Sequence, residues 1–229
     1  MKANSMGGAV AYHDQLAEGW EERYKTVQFS VRLQVLSEIL PEPQNGKRWL
    51  DAGCGTGTIS RWLAGERGAS VIALDASEKM LANAAPSCGV EYVLGDVTRS
   101  GLPDNSFDGI LCSSVLEFLP DPAVALKEFR RLLRPGGVVL LSVPNAARSV
   151  RTLLWLVYWM TRPLGRHRRL VYLDHSRHCF SEKGFALLLA ANGFELVTAR
   201  QFGRIYLPWG FFLSSAGTLL MGRCTPSAM

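Results

Sequence analysis

Short apolar runs recur along the chain, all but one closed by glycine, proline or an acid. They fall at residues 48–52, 71–75, 91–95, 108–112 and 138–143. Runs this short and this continuous fit strands buried on both faces better than helices. Between them lie stretches with helical spacing, near 58–67, 77–84 and 122–133. Strand alternating with helix predicts a parallel sheet with helices on both faces, an α/β fold. Ahead of the first strand, Val27, Val31, Val35, Leu36, Ile39 and Leu40 keep near-helical spacing within Tyr12 to Leu40, which predicts one or two helices ended by Pro41 and Pro43. Ser181 to Asn192 reads as a helix with Ser181 as N-cap and Gly193 as C-cap, followed by a strand over Phe194 to Ala199.

The first strand runs into Asp51-Ala52-Gly53-Cys54-Gly55-Thr56-Gly57, with a helix starting at about Thr58. Glycines at alternate positions let backbone pass close to a ligand at the carboxyl edge of the sheet, where open α/β folds bind nucleotides. The spacing differs from the G-x-G-x-x-G of dinucleotide folds, which seat a pyrophosphate on a helix N-terminus. An acid stands where a phosphate would be repelled, so the loop suits a cofactor with a positive centre and no phosphate. S-adenosylmethionine has that chemistry. Downstream, the second strand ends in Asp75, suited to ribose hydroxyls. The third leads into Gly95-Asp96-Val97, Leu102 to Asp108 precedes the fourth, and Leu133-Arg134-Pro135-Gly136-Gly137 precedes the fifth.

In this order and spacing the segments resemble the class I S-adenosylmethionine-dependent methyltransferases, closest to the small-molecule branch of ubiquinone- and menaquinone-pathway enzymes. The resemblance is strong over 45–145 and weaker over 175–200. It implies a doubly wound, Rossmann-like sheet of seven mostly parallel strands, the last antiparallel, near Thr218 to Arg223. It implies that Asp51, Gly53, Cys54, Gly55 and Gly57 surround the methionine part of the cofactor, with Ser113 near its methionyl end. Asp75 would bind the ribose, Ala76 and Met80 would line the adenine slot, and Asp96 would take the adenine amino group beside Val97. The chain departs from the family at Phe118, where many members carry histidine.

Four regions follow: a helical lid over 1–44, a cofactor core over 45–145, an insert over 146–180, and a closing helix and strands over 181–229. In the lid, Tyr24 is the expected partner of the methionine carboxylate. The lid and insert should choose the substrate, expected to be a small hydrophobic or aromatic acceptor. A sulfonium methyl is already activated, so alignment and exclusion of water carry most of the rate. A base helps an oxygen or nitrogen acceptor, typically by about 10²- to 10⁴-fold. His175 and His13 are the candidates. O-methylation is favoured over N- or C-methylation, over an enzyme on tRNA or protein, and over a non-catalytic binding module.

Composition changes this picture in one place. The 229 residues carry a formal charge of +5, and 48% are hydrophobic, enough for one sizeable core. Six arginines (Arg148, Arg151, Arg162, Arg166, Arg168 and Arg169) fall within 148–173, without an acid; removing them leaves −1. The basic character is therefore one segment, and no nucleic-acid partner is expected. The same segment holds Leu153-Leu154-Trp155-Leu156-Val157-Tyr158-Trp159-Met160, far short of the roughly 20 residues that span a bilayer. It reads as core packing, a substrate lid or a peripheral membrane contact. Five scattered cysteines without a C-x-x-C pair suggest neither a metal site nor disulfides, and with no secretory pattern at the start they point to the cytoplasm. A monomer or homodimer is expected.

Overall fold

A computed structural model describes residues 6–25, 27–40, 42–145, 156, 159–160, 172–202, 205–206, 212–213 and 219–227. Its centre is a seven-stranded sheet in the order β3-β2-β1-β4-β5-β9-β6. Strands β1 (Arg48–Ala52), β2 (Ser70–Asp75), β3 (Val90–Leu94), β4 (Phe107–Ser113) and β5 (Leu133–Pro144) pair in parallel. β9 (Leu219–Pro226) runs antiparallel between β5 and β6 (Phe194–Phe202). The predicted sheet, with its antiparallel last strand, is the observed one.

The continuous apolar runs are explained by burial on both faces. Leu50, Ile72, Ile110 and Leu141 enter one core layer with Phe129 and Phe185, which come from helices α4 (Pro122–Leu132) and α5 (Glu182–Ala191). Their neighbours Trp49, Val71, Leu111 and Leu140 enter the other layer. There they meet Leu36 of α2 (Val27–Ile39) and Leu63 of α3 (Thr58–Gly65). Alternate residues of one strand thus face opposite layers, as the two-residue strand period requires. The helix starts follow local chemistry. The Asp121 carboxylate accepts the Ala123 N–H with Pro122 in the first turn, and the Ser181 hydroxyl accepts the Gly184 N–H.

Three elements differ from expectation. The Arg134–Gly137 turn is an excursion within β5, where Phe107 pairs with Leu133 and Gly109 next pairs with Val138. Gly136, at φ +78°, allows the bulge. β6 continues to Phe202 because β9 supplies partners that far. A small hairpin of β7 (Ile205–Tyr206) and β8 (Phe212–Leu213) was not foreseen, two-residue strands being too short to show a period. The N-terminal region divides into α1 (Met6–Leu16), a 3-10 turn (Trp20–Lys25) and α2. Strand order reverses between β1 and β4, so the loops after these strands flank the crevice where such sheets bind ligands.

Candidate functional site

The loop after β1 is held by backbone. The Gly53 and Cys54 N–H groups donate to Leu74 O at 2.7 and 3.0 Å, and Gly57 N–H returns to Cys54 O at 3.0 Å. Gly53 and Gly57 sit at φ +82° and +75°. A Cβ on Gly53 would lie 2.3 Å from Val115 Cγ2, and one on Gly57 2.4 Å from Tyr92 Cε1. The glycines therefore serve both the turn and its close fit between the β3 and β4 ends.

Two carboxylates stand behind this loop. Asp51 is 2% exposed and accepts the Ser60 hydroxyl at 2.6 Å. Burial pushes it up to about 7; the Ser60 bond opposes the shift and Asp75 adds to it. A buried acid that ionises with difficulty is stabilised by a cation, which fits a sulfonium or ammonium group. Asp75 accepts Gly55 N–H at Oδ2 (2.7 Å) and Ser77 N–H at Oδ1 (2.8 Å). Burial raises it, while those two amides and the nearby His13 pull it back. Each oxygen keeps a further lone pair for a ligand hydroxyl. Asp96 is fixed by Thr98, whose N–H and hydroxyl both donate to Oδ1 at 2.7 Å. Met80 and Val97 are buried and Ala76 is exposed. Burial pushes the Cys54 thiol far up, so it is a neutral packing group.

The N-terminal segment closes on this edge. The Ser77 hydroxyl donates to Asp14 at 2.5 Å, and Arg61 pairs with Glu21 at 2.9 Å. His13 donates from Nδ1 to Ala9 O at 2.8 Å, which leaves Nε2 as the acceptor. Its ring meets Tyr12, Trp20 and Phe118 edge-on, with centroids 5.2, 5.8 and 4.9 Å away. Tyr12 in turn stacks on His175 at 4.4 Å. The two histidines singled out from sequence, 162 positions apart, thus join one aromatic cluster. His175 Nδ1 is buried without a hydrogen-bond partner among the described residues. His178 lies within 3.0 Å of Leu119 O through Nε2, a structural tie. The Tyr24 hydroxyl lies outside the described residues.

Sequence reasoning missed Arg32. From α2 it donates to the Ser113 hydroxyl at 2.8 Å and the Ser114 hydroxyl at 3.4 Å. Ser113 and Ser142 share a hydrogen bond at 3.0 Å, and Ser114 sits at φ +59°. A signal was available: Arg32 is the one basic residue of an otherwise largely apolar helix. Behind it lies Glu117, 4% exposed, with Oε2 unpartnered among the described residues. Burial pushes Glu117 up to about 8 despite the pull of Arg32. Its backbone carbonyl accepts the N–H of Arg177 at 2.7 Å and of His178 at 3.3 Å, which fixes the segment carrying His175.

Residues 50–141 match the family model described as a methyltransferase domain. The malonyl-(acyl-carrier protein) O-methyltransferase of Erwinia pyrifoliae is 35% identical over 153 residues, covering 65% of this chain and 58% of that protein. The ubiquinone biosynthesis O-methyltransferase of Pseudomonas aeruginosa is 39% identical over 106 residues, covering 44% of this chain and 45% of that one. The chain spans about half the length of the curated relatives it matches. Among solved structures, the 1,6-didemethyltoxoflavin-N1-methyltransferase of Burkholderia thailandensis, with bound 1,6-didemethyltoxoflavin and S-adenosylhomocysteine, shares the fold. It matches with a TM-score of 0.65 at 21% identity over 100% of this chain and 92% of that one.

Proposed function

We propose, on the premise that the chain belongs through residues 50–141 to the class I S-adenosylmethionine-dependent methyltransferases, that it methylates a small, hydrophobic or aromatic acceptor. The observation that carries this reading is the aromatic cluster of Tyr12, Trp20 and Phe118 around His13 and His175, next to Asp75 and the glycine loop. S-adenosylmethionine is the cofactor, and the residues present suit it. At Gly53 and Gly57 the loop has space only for backbone, Asp51 is a buried acid that gains from a cation, and Asp75 has lone pairs suited to two ribose hydroxyls. Arg32, with Ser113, is positioned to meet the methionine carboxylate.

The cofactor supplies an activated methyl group. The chain's own residues hold the acceptor in line and keep water out. Tyr12, Trp20 and Phe118 provide flat apolar surface for a ring or chain. His13 has its Nδ1 proton committed to Ala9 O, so Nε2 is the site that takes the acceptor's proton, and the neighbouring Asp75 stabilises the resulting imidazolium. His13 also lies against Phe118, where the family resemblance implies histidine in many members, and so would bring an imidazole to that place from another element. His175 shapes the cluster through Tyr12. The two relatives with O-methyltransferase names support an oxygen acceptor.

Calorimetric titration with S-adenosylmethionine, S-adenosylhomocysteine and NAD is the first test. Micromolar binding of the first two and none of NAD is expected, followed by methyl transfer to phenolic, quinol or carboxylic acceptors. His13→Ala should lower turnover with cofactor affinity unchanged. Absence of cofactor binding in the folded protein would end this reading.

A further inference from the structure

The six arginines of the basic insert lie outside the described residues. A second gathering of cations lies within them, at the amino edge of the sheet, the end opposite the glycine loop. A cavity of about 190 Å³ opens there, between the stretch 42–47 ahead of β1, the start of β4 at Asp108, the β5 bulge and the far end of β9 at Arg223. Its walls are built. Gln44 is 1% exposed and uses both ends of its amide: Nε2 donates to Glu42 O at 2.8 Å, and Oε1 accepts the Trp49 indole N–H at 3.2 Å. Asp108 accepts Arg48 N–H at 2.8 Å, and Arg134 Nη1 donates to its two oxygens at 2.9 and 2.8 Å. Burial raises this carboxyl, but the Arg48 N–H, Arg134 and the nearby Lys47 outweigh it and hold it below the usual range. Asp108 is thus ionised and occupied. Arg67 donates to Leu40 O and, at 3.3 Å, to Glu42 O, both from lining residues. Lys47, Arg67, Arg134 and Arg223 therefore gather around two acids, Asp108 and the exposed Glu42. Arg223 is half-buried, and its Nε–H is buried with no hydrogen-bond partner among the described residues.

We infer that this cavity binds a small oxyanion, the carboxylate or phosphate group of a metabolite, with Arg223 as its principal donor and Lys47 as a second charge. A buried donor on a charged group costs free energy until an acceptor reaches it. Water would satisfy the N–H but leave the excess of positive charge; an oxyanion answers both, and a guanidinium matches its geometry. The volume lies below the roughly 300 Å³ at which drug-sized sites begin, so the ligand is closer in size to phosphate or a dicarboxylate than to a nucleotide. The bulge has a part in this. Residues 134–137 leave the ladder between the Leu133 and Val138 pairings, and Pro135, Gly136 and Gly137 become one wall. The cavity and the crevice beside the glycine loop are at opposite ends of the strands, so the inference does not rest on methyl transfer.

The test follows thermal unfolding of the full chain, without cofactor, against inorganic phosphate and against succinate, with sodium chloride at matched ionic strength as the baseline. A saturable rise above that baseline is expected with at least one of them. A lower midpoint concentration for phosphate would assign a phosphorylated ligand, and a lower one for succinate a carboxylate. Arg223→Met keeps the aliphatic stem and removes the unpartnered donor. Without added anion it should unfold at the wild-type temperature or above, and its midpoint concentration should rise about tenfold or more, as loss of a hydrogen bond to a charged group implies. Lys47→Gln, at an exposed position, should raise the midpoint about two- to fivefold. No rise above the chloride baseline would overturn the inference. So would equal midpoints in wild type and Arg223→Met, which would put the anion elsewhere on a basic protein. A lower unfolding temperature of Arg223→Met without anion would give the guanidinium a structural role and overturn it too. Failure of S-adenosylhomocysteine binding alone would strike only the methyl-transfer reading.

Discussion

Asp75→Ala separates what the carboxylate does for the fold from what it does for the cofactor. In the protein, Oδ2 accepts Gly55 N–H at 2.7 Å and Oδ1 accepts Ser77 N–H at 2.8 Å. Removing the carboxylate orphans both amides. Water can enter the space left, so the low end of the penalty for an unsatisfied donor applies, about 1 kcal/mol each and about 2 kcal/mol in unfolding free energy. In the proposed ribose role, the ligand loses two further bonds to a charged acceptor. At about 1.5 kcal/mol each these total about 3 kcal/mol, or roughly a hundredfold in affinity. Calorimetry with S-adenosylhomocysteine measures this best, since it lacks the sulfonium and is insensitive to lost negative charge near that atom. A dideoxyribose analogue of the same ligand completes the comparison. It should bind wild type and variant alike, because neither complex then contains the ribose–carboxylate bonds. An unchanged affinity of Asp75→Ala for S-adenosylhomocysteine, in a protein destabilised as expected, would refute the ribose role and leave Asp75 as a clamp on the loop. Equal losses for both ligands would show instead that the loop had moved.

Two further outcomes follow from the same geometry. Glu117 has a native pKa of about 8 against 4.5 in the unfolded chain, so between those values the folded protein holds a proton that the unfolded one has released, and this group's contribution falls as pH rises. Glu117→Gln should therefore flatten that part of the stability–pH curve and be more stable than wild type near pH 8, as measured by denaturant unfolding; an unaltered slope would mean the carboxyl is ionised in the native state. Asp51 contributes the same sign up to about 7 and should persist in the variant. Gly57→Ala at φ +75° should cost about 1–2 kcal/mol for the left-handed backbone. Crowding against Tyr92, as overpacking, adds about 1–3 kcal/mol. Adding Tyr92→Ala should relieve only the crowding, and no relief in thermal unfolding would contradict the contact.

The strands were legible because burial on both faces writes an unbroken apolar run, and the loop because Asp51, Gly53, Gly55 and Gly57 need their own spacing. Pairs that close the site were not legible. Asp14 and Ser77 are 63 positions apart, and Arg32 and Ser113 are 81 apart; no local pattern links them. Arg32 could still have been marked, since a lone cation on a largely apolar helix must find partners. The β5 bulge was hidden because Pro135-Gly136-Gly137 is the composition of an ordinary turn, and only the pairing with β4 shows that the strand resumes on the same ladder. The histidines were chosen by chemistry, and what brings them together is Tyr12, which sequence gave no reason to place between them.

The antiparallel strand also bears on the order of assembly. Among the described strands β6 pairs in the sheet with β9 alone, and β9 comes later in the chain. Until β9 slots beside β5, the hydrogen-bonding edge of β5 stays open and β6, with α5 packed on it, has no ladder to join. The parallel half around β1 can form from neighbouring β-α-β units, whereas the other half waits on one non-local insertion. Such pairings are slow, because loop closure precedes any gain in contacts. Folding should therefore proceed through an intermediate with the glycine loop already shaped and an unprotected β5 edge, the species most prone to self-association.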